Sequence, residues 1–210
     1  MCGIIGIIGN SDAAPRLLES LRRLEYRGYD SAGIAVQTEN GPERRRAEGK
    51  IRNLEAVIGK EPVSGHVGIG HTRWATHGAP SVRNAHPHSA GRVTVVHNGI
   101  IENFAELKSE LKAKGREFAS DTDTEVIAHL LDEALSTGAA PKDAFKSVLD
   151  RLHGAYALAI LIKGEAETLL GARRGSPLVV GWGEDGEMFL GSDALAVGPF
   201  TQRVTYLEEG

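Results

Sequence analysis

Six consecutive residues near the start of the chain, Gly3-Ile4-Ile5-Gly6-Ile7-Ile8, carry no polar side chain. A strand with one wet face alternates apolar and polar residues, whereas an unbroken apolar run of this length reads as a strand covered on both faces. The fold is therefore expected to be layered, with its first strand in the middle. Cys2 sits at the mouth of that strand, where the plain reading is of a small buried hydrophobe.

Its position offers a second reading. Cys2 is the only cysteine in 210 residues. If an aminopeptidase removes Met1, which the small Cys side chain favours, a thiol and a free α-amine share one residue. The amine titrates at about 7.7–8.0 and the thiol at about 8.5. The amine can then serve as base for its own thiol, the logic of N-terminal Thr hydrolases transposed to sulfur. Cys2 alone does not choose between the two readings.

After the first strand, Ser11 or Asp12 is placed to cap a helix with Pro15 in its first turn. Leu17, Leu18, Leu21 and Leu24 recur there at helical spacing. A polar and aromatic loop from Leu24 to Gly33 leads into a short strand at 34–36, and Asn40-Gly41-Pro42 signals a hairpin turn. Arg44-Arg45-Arg46 fits a solvated strand of that hairpin. Ile51, Leu54, Val57 and Ile58 imply a second helix, and residues 67–70 a strand. The segment His71–Gly78 and a loop through His88 precede a β-branched strand at 93–96, which runs into His97-Asn98-Gly99. Helices are expected after Asn103, from Ser120–Glu125 (Thr122 and Glu125 fit a capping box) and from Pro141. From Ala155 onward the chain reads as almost all β, with strands at 156–162, 168–172, 178–181, 188–190 and 203–207. Strands, then helices, then strands argue for an α+β fold of two sheets with helices packed on them.

Charge and composition narrow the function classes. With 24 basic against 28 acidic side chains the net charge is −4, so no basic excess points to nucleic acid and no Lys/Arg block to an anionic membrane. No apolar run approaches the ~18 residues of a bilayer span, and the apolar start lacks the basic flank of a signal peptide. One cysteine excludes an intramolecular disulfide framework and fits a reducing compartment, so the cytoplasm is expected. Self-association, a homodimer included, is left open.

A nucleophilic thiol acting on an amide needs donors for the developing oxyanion and groups that hold the substrate. Asn98-Gly99, at a strand end, offers a side-chain amide and a backbone N–H, although the dipeptide alone reads as a turn. Arg73 beside Trp74 can clamp a carboxylate, or simply stack on the ring. Asp123 near a helix start can accept an ammonium, or merely favour the helix dipole. Six of the eight histidines lie between residues 66 and 97, but their spacing matches no metal-ligand pattern. No metal or cofactor is expected.

Four stretches decide between these readings: Cys2-Gly3-Ile4-Ile5-Gly6, Leu21–Gly33 with Tyr26-Arg27-Gly28-Tyr29-Asp30-Ser31, His71-Thr72-Arg73-Trp74-Ala75-Thr76-His77-Gly78, and His97–Asn103. Together with Ser120–Val126 and Arg174–Leu178 they closely resemble the glutaminase domain of the glutamine–fructose-6-phosphate aminotransferases. These are class II glutamine amidotransferases of the N-terminal-nucleophile hydrolase superfamily, and the resemblance spans residues 1–210 as one domain. It implies a four-layer αββα sandwich that cleaves L-glutamine to glutamate and ammonia through a γ-glutamyl thioester. It also implies roles: Cys2 as nucleophile, Asn98 and Gly99 as oxyanion hole, Arg73 on the α-carboxylate and Asp123 on the α-ammonium. Thr76 and His77 share the Arg73 loop, Arg27 faces the cysteine, and Trp74 and His86 line or close the pocket.

Family members continue into a sugar-phosphate isomerase region that would use the ammonia. Its absence here implies an excised or truncated domain that hydrolyses glutamine but needs that partner region to make glucosamine 6-phosphate. Met1 is a further departure, since it blocks the Cys2 amine. Three competing readings remain in view at this stage. They are the glutaminase domain of another class II enzyme, such as glutamine phosphoribosylpyrophosphate amidotransferase, a non-catalytic glutamine sensor, and a histidine metalloprotein.

Overall fold

The computed structural model describes residues 2–210. The first strand, β1 (Gly3–Ile8), pairs antiparallel with β4 (Val67–Arg73) on one side and β10 (Met188–Gly191) on the other. Its apolar side chains serve two cores: Ile5 and Ile7 pack beneath helices, while Ile4 faces a second sheet. Neither face is wet, which is why the run shows no alternation.

The larger sheet runs β11 (Val204–Tyr206), β9 (Val179–Trp182), β10, β1, β4, β2 (Ser31–Thr38), β3 (Gly41–Glu48). The smaller runs β5 (His88–Ala90), β6 (Val93–Ile101), β7 (Gly154–Ile162), β8 (Leu170–Arg174). Three apolar clusters separate four layers. Leu17, Leu21, Leu24 and Leu54 of α1 (Ala13–Leu24) and α2 (Ile51–Lys60) cover the outer face of the larger sheet, joined by the short α6 (Ala194–Val197). Ile69, Val96, Ala157 and Leu161 fill the space between the sheets. Leu107, Leu111, Leu131 and Val148, from α3 (Phe104–Ala113), α4 (Glu125–Ser136) and α5 (Pro141–Leu149), pack on Val95, Leu158 and Ile160 of the smaller sheet. The period of two along β7, with Ala157 and Leu161 inward and Leu158 and Ile160 outward, divides one strand between two cores. The result is the αββα sandwich that the resemblance implied.

Several local expectations differ from the structure. Asn98-Gly99 lies inside β6, opposite Ala157 and Tyr156, and not in a turn. The Thr122–Glu125 capping box does not form. Instead the Glu125 carboxylate accepts the backbone N–H groups of Ala119 (2.8 Å) and Ser120 (2.7 Å), tying back the loop before its own helix. Asp12 occupies the cap position of α1 but accepts the Gly65 N–H at 3.2 Å. Arg44–Arg46 do form the hairpin strand, yet they are half-buried. Arg45 donates to Glu61 O (2.7 Å) and Arg46 to Ala85 O (2.9 Å), contacts that a local reading cannot foresee. The strand β5 follows where a loop was expected, and the helix α6 lies between two expected strands of a region read as almost all β. No helix among the described residues is long and apolar enough to cross a membrane.

Candidate active site

Strand register brings the site together. Gly3 of β1 lies opposite Thr72 of β4, so the residue before Gly3 falls beside the residues after Thr72. Cys2 Sγ accepts the Trp74 backbone N–H at 3.2 Å and can donate to Trp74 O at 3.4 Å. From the other sheet, β6 delivers Asn98, whose Nδ2 donates to Cys2 O at 3.0 Å. Cys2, Arg73, Trp74, Asn98 and Gly99 border one cavity of about 320 Å³. Arg27, Thr76, His77, His86 and Asp123 border the same cavity. All ten residues singled out from the sequence are thus brought together.

Two buried charges face this cavity with no ion-pair contact among the described residues, although the Asp30 and Asp123 carboxylates lie near enough to favour the Arg73 cation. Arg73 is 3% exposed, and its guanidinium donates to the carbonyls of His77, Gly78 (3.0 Å) and Ala79 (3.4 Å). Those carbonyls satisfy its N–H groups but do not neutralise it, and burial lowers its pKa from the ordinary arginine value. Asp123 is 4% exposed, with one oxygen accepting the Ile101 N–H at 2.8 Å. Among the described residues neither makes an ion pair. A buried cation and a buried anion on one cavity match a zwitterionic amino acid, whose two charges would compensate them. Arg27 differs: its guanidinium is 3.1 Å from the Asp193 carboxylate, so that charge is already engaged. Trp74 stands 45% exposed at the cavity edge, with its ring edge-on to Tyr29 at 5.4 Å.

The thiol has no side-chain base against it among the described residues; both its hydrogen-bond partners are backbone atoms of Trp74. Burial pushes the Cys2 thiol pKa up, and the Trp74 N–H pulls against that. Burial also drives His71 down to about 3, His86 well below the usual imidazole range, and His97 downward. These rings are therefore neutral dipoles near neutral pH. Among the described residues no group of three or more His, Cys, Asp or Glu is arranged to hold a metal ion.

A family model described as a glutamine amidotransferase domain matches residues 71–198. The chain belongs to the glutamine amidotransferase domain family. A glutamine–fructose-6-phosphate aminotransferase (isomerizing) of Caulobacter vibrioides is 74% identical over the whole chain, which covers 34% of that protein. The same enzyme of Zymomonas mobilis subsp. mobilis is 61% identical with the same coverage. The chain thus spans about a third of the length of the curated relatives it matches. The solved glutamine phosphoribosylpyrophosphate amidotransferase from B. subtilis superposes with a TM-score of 0.80 at 31% identity, covering 99% of this chain and 45% of that one.

Within this amidotransferase domain two glycines carry geometric demands. Gly99 has φ +119°, and a Cβ there would lie 2.0 Å from Ala155 O, so no larger residue fits the strand beside Asn98. A Cβ on Gly28 would lie 2.7 Å from the Arg73 carbonyl carbon. That close crossing lets the Tyr26–Asp30 loop run over the end of β4, where Asp30 accepts the Ala75 N–H at 2.7 Å.

Sequence reasoning missed further lining residues, among them His97, Thr122, Thr124 and Ser176. Thr124 Oγ1 lies 3.0 Å from His97 Nδ1 and 3.3 Å from His86 Nε2, so it couples the Asp123 loop to two histidines. His71 was missed as well. The signal for it was its place two residues before Arg73, on the same face of a strand.

Proposed function

We propose that this chain is a single glutaminase domain in which Cys2 attacks the side-chain amide carbon of L-glutamine. The observation that carries this reading is the meeting of Cys2 Sγ, the Asn98 amide and the buried charges of Arg73 and Asp123 on one cavity. Sγ forms a C–S bond and the carbonyl oxygen becomes an oxyanion. Asn98 Nδ2 has two protons and spends one on Cys2 O, which leaves one for that oxyanion beside the Gly99 N–H. Collapse breaks the C–N bond, and ammonia leaves carrying the proton taken from the thiol. Water then adds its OH to the thioester and returns its other proton to sulfur, releasing glutamate. In the longer enzyme the ammonia would pass to fructose 6-phosphate, giving glucosamine 6-phosphate for amino-sugar synthesis in the cytoplasm. Identity of 74% to the sugar enzyme against 31% to the phosphoribosyl enzyme favours that acceptor. Glutamate release from glutamine by the isolated chain, lacking Met1, tests the hydrolytic half. No release above background would overturn it.

Two further outcomes follow from the site. Removing one partner of a desolvated charge contact costs on the order of 2–5 kcal/mol. Arg73→Ala or Asp123→Ala should therefore lower kcat/KM for glutamine at least about tenfold, 1.4 kcal/mol being one factor of ten. Wild-type kinetics from either would make that residue structural. Asn98→Ala should lower kcat by roughly 10²-fold or more with little change in KM, because its donor acts on charge that develops in the transition state. A pure KM effect would make Asn98 a ground-state contact instead.

A further inference from the structure

Asn98 helps an oxyanion only if its NH2 group, and not its carbonyl, faces the thiol. The two ends of a carboxamide are alike in size, and one bond rotation exchanges them. The chemistry of the neighbours determines which way it stands. On one side Asn98 Nδ2 lies 3.0 Å from Cys2 O, which can only accept. On the other, Asn98 Oδ1 lies 3.1 Å from His71 Nε2. That same Nε2 lies 3.0 Å from His97 O, again an acceptor only. His71 Nε2 must therefore carry the proton, shared between His97 O and Asn98 Oδ1. The ring's other nitrogen, Nδ1, has no partner and keeps only its lone pair. An NH2 group turned toward this ring would meet N–H against N–H.

The ring is also held in place. His71 is fully buried on β4, and its imidazole stacks on that of His86 at 4.1 Å with 14° between planes. Building on the oxyanion role given to Asn98 above, we propose that His71 is a positioning residue. Its Nε2–H holds the Asn98 carboxamide with Nδ2 on the thiol side. Without it only the Nδ2–Cys2 O bond opposes rotation, and the amide is held less firmly with its NH2 group where negative charge develops.

Three substitutions separate this from a structural role. His71→Phe keeps a ring to stack on His86 but has no donor. His71→Gln places an amide nitrogen at about the reach of Nε2, and His71→Asn stops at about the reach of Nδ1. All are compared by thermal melting and by glutamine hydrolysis on Met-free protein. His71→Phe and His71→Asn are expected to lose about tenfold or more in kcat with KM nearly unchanged, and His71→Gln to recover most of that loss. In the Asn98→Ala background, His71→Phe should cost almost nothing more, since the two act as one unit. Should the Phe variant fail to fold, the Asn and Gln pair gives the same comparison. The proposal falls if the Phe and Asn variants keep wild-type kcat, if a folded Gln variant is as slow as Asn, or if the His71 loss is undiminished in the Asn98→Ala background. Asn98→Ala at wild-type kcat would remove the oxyanion reading itself. Asn98→Ala slow with His71→Asn fast would remove only the positioning role.

Discussion

Cys2→Ala should abolish glutamate release and leave the fold intact. No other residue can replace the thiol, because Cys2 is the only cysteine. The fold should tolerate the change because, among the described residues, Sγ hydrogen-bonds only to the Trp74 backbone, while the contact that anchors Cys2 between the sheets, Asn98 Nδ2 to Cys2 O, uses the main chain and survives. The ladder from Gly3 onward does not involve the side chain at all. The expected result is activity at background with a melting curve close to wild type. A folded Cys2→Ala protein that kept more than a few per cent of activity would rule Cys2 out as nucleophile. A second measurement uses a glutamine analogue with an electrophilic diazoketone in place of the amide. It should label wild-type, Met-free protein once per chain, with the adduct on Cys2 by peptide mapping. An adduct elsewhere would sink the assignment.

The elements were legible where one physical rule governed many residues. The apolar run of β1, the leucine spacing of α1 and the strand-rich end of the chain all appear as read, because burial on one or two faces imposes a period. The sequence read poorly where side chains serve distant backbone. Glu125 looked like half of a capping box, but its carboxylate goes to residues 119 and 120. Arg46 looked solvated, but it crosses to Ala85 O. Such contacts have no period and leave no local mark.

The site divides in the same way. Arg73, Asn98 and Asp123 were found through short motifs, whose residues touch the cavity directly. His71 was not, because its work is done on another side chain and its neighbours are set by the pairing of β1 with β4 and the approach of β6. Asn98-Gly99 shows the opposite failure. As a dipeptide it is a turn signal, yet a β-bonded strand accommodates it because Ala155 O occupies the space that any side chain at residue 99 would need.

Removal of Met1 should switch the activity on. Residue 1 lies outside the described residues, but the surroundings of Cys2 are described. The thiol needs a base, and the hydrogen-bond partners of Sγ are the N–H and carbonyl of Trp74, neither of which is basic. The imidazoles of His71, His86 and His97 are buried and held neutral, and each is already engaged elsewhere: His71 with Asn98, His86 and His97 with Thr124. The one basic nitrogen that processing would place beside Sγ is the α-amine of Cys2 itself. An attached Met1 turns that amine into an amide with no basicity. Protein with Met1 retained should therefore turn glutamine over at background rate, and trimming with a methionine aminopeptidase should restore hydrolysis. The sign of the pH dependence follows: the amine works when neutral, so the processed protein should lose activity on the acid side as it protonates, below a reference pKa of about 8. The measurement is one preparation divided in two, one half trimmed, both verified by intact mass and assayed for glutamate. Equal rates from the two halves would transfer the base to a side chain bordering the cavity, His77 or His86, and would end the N-terminal mechanism.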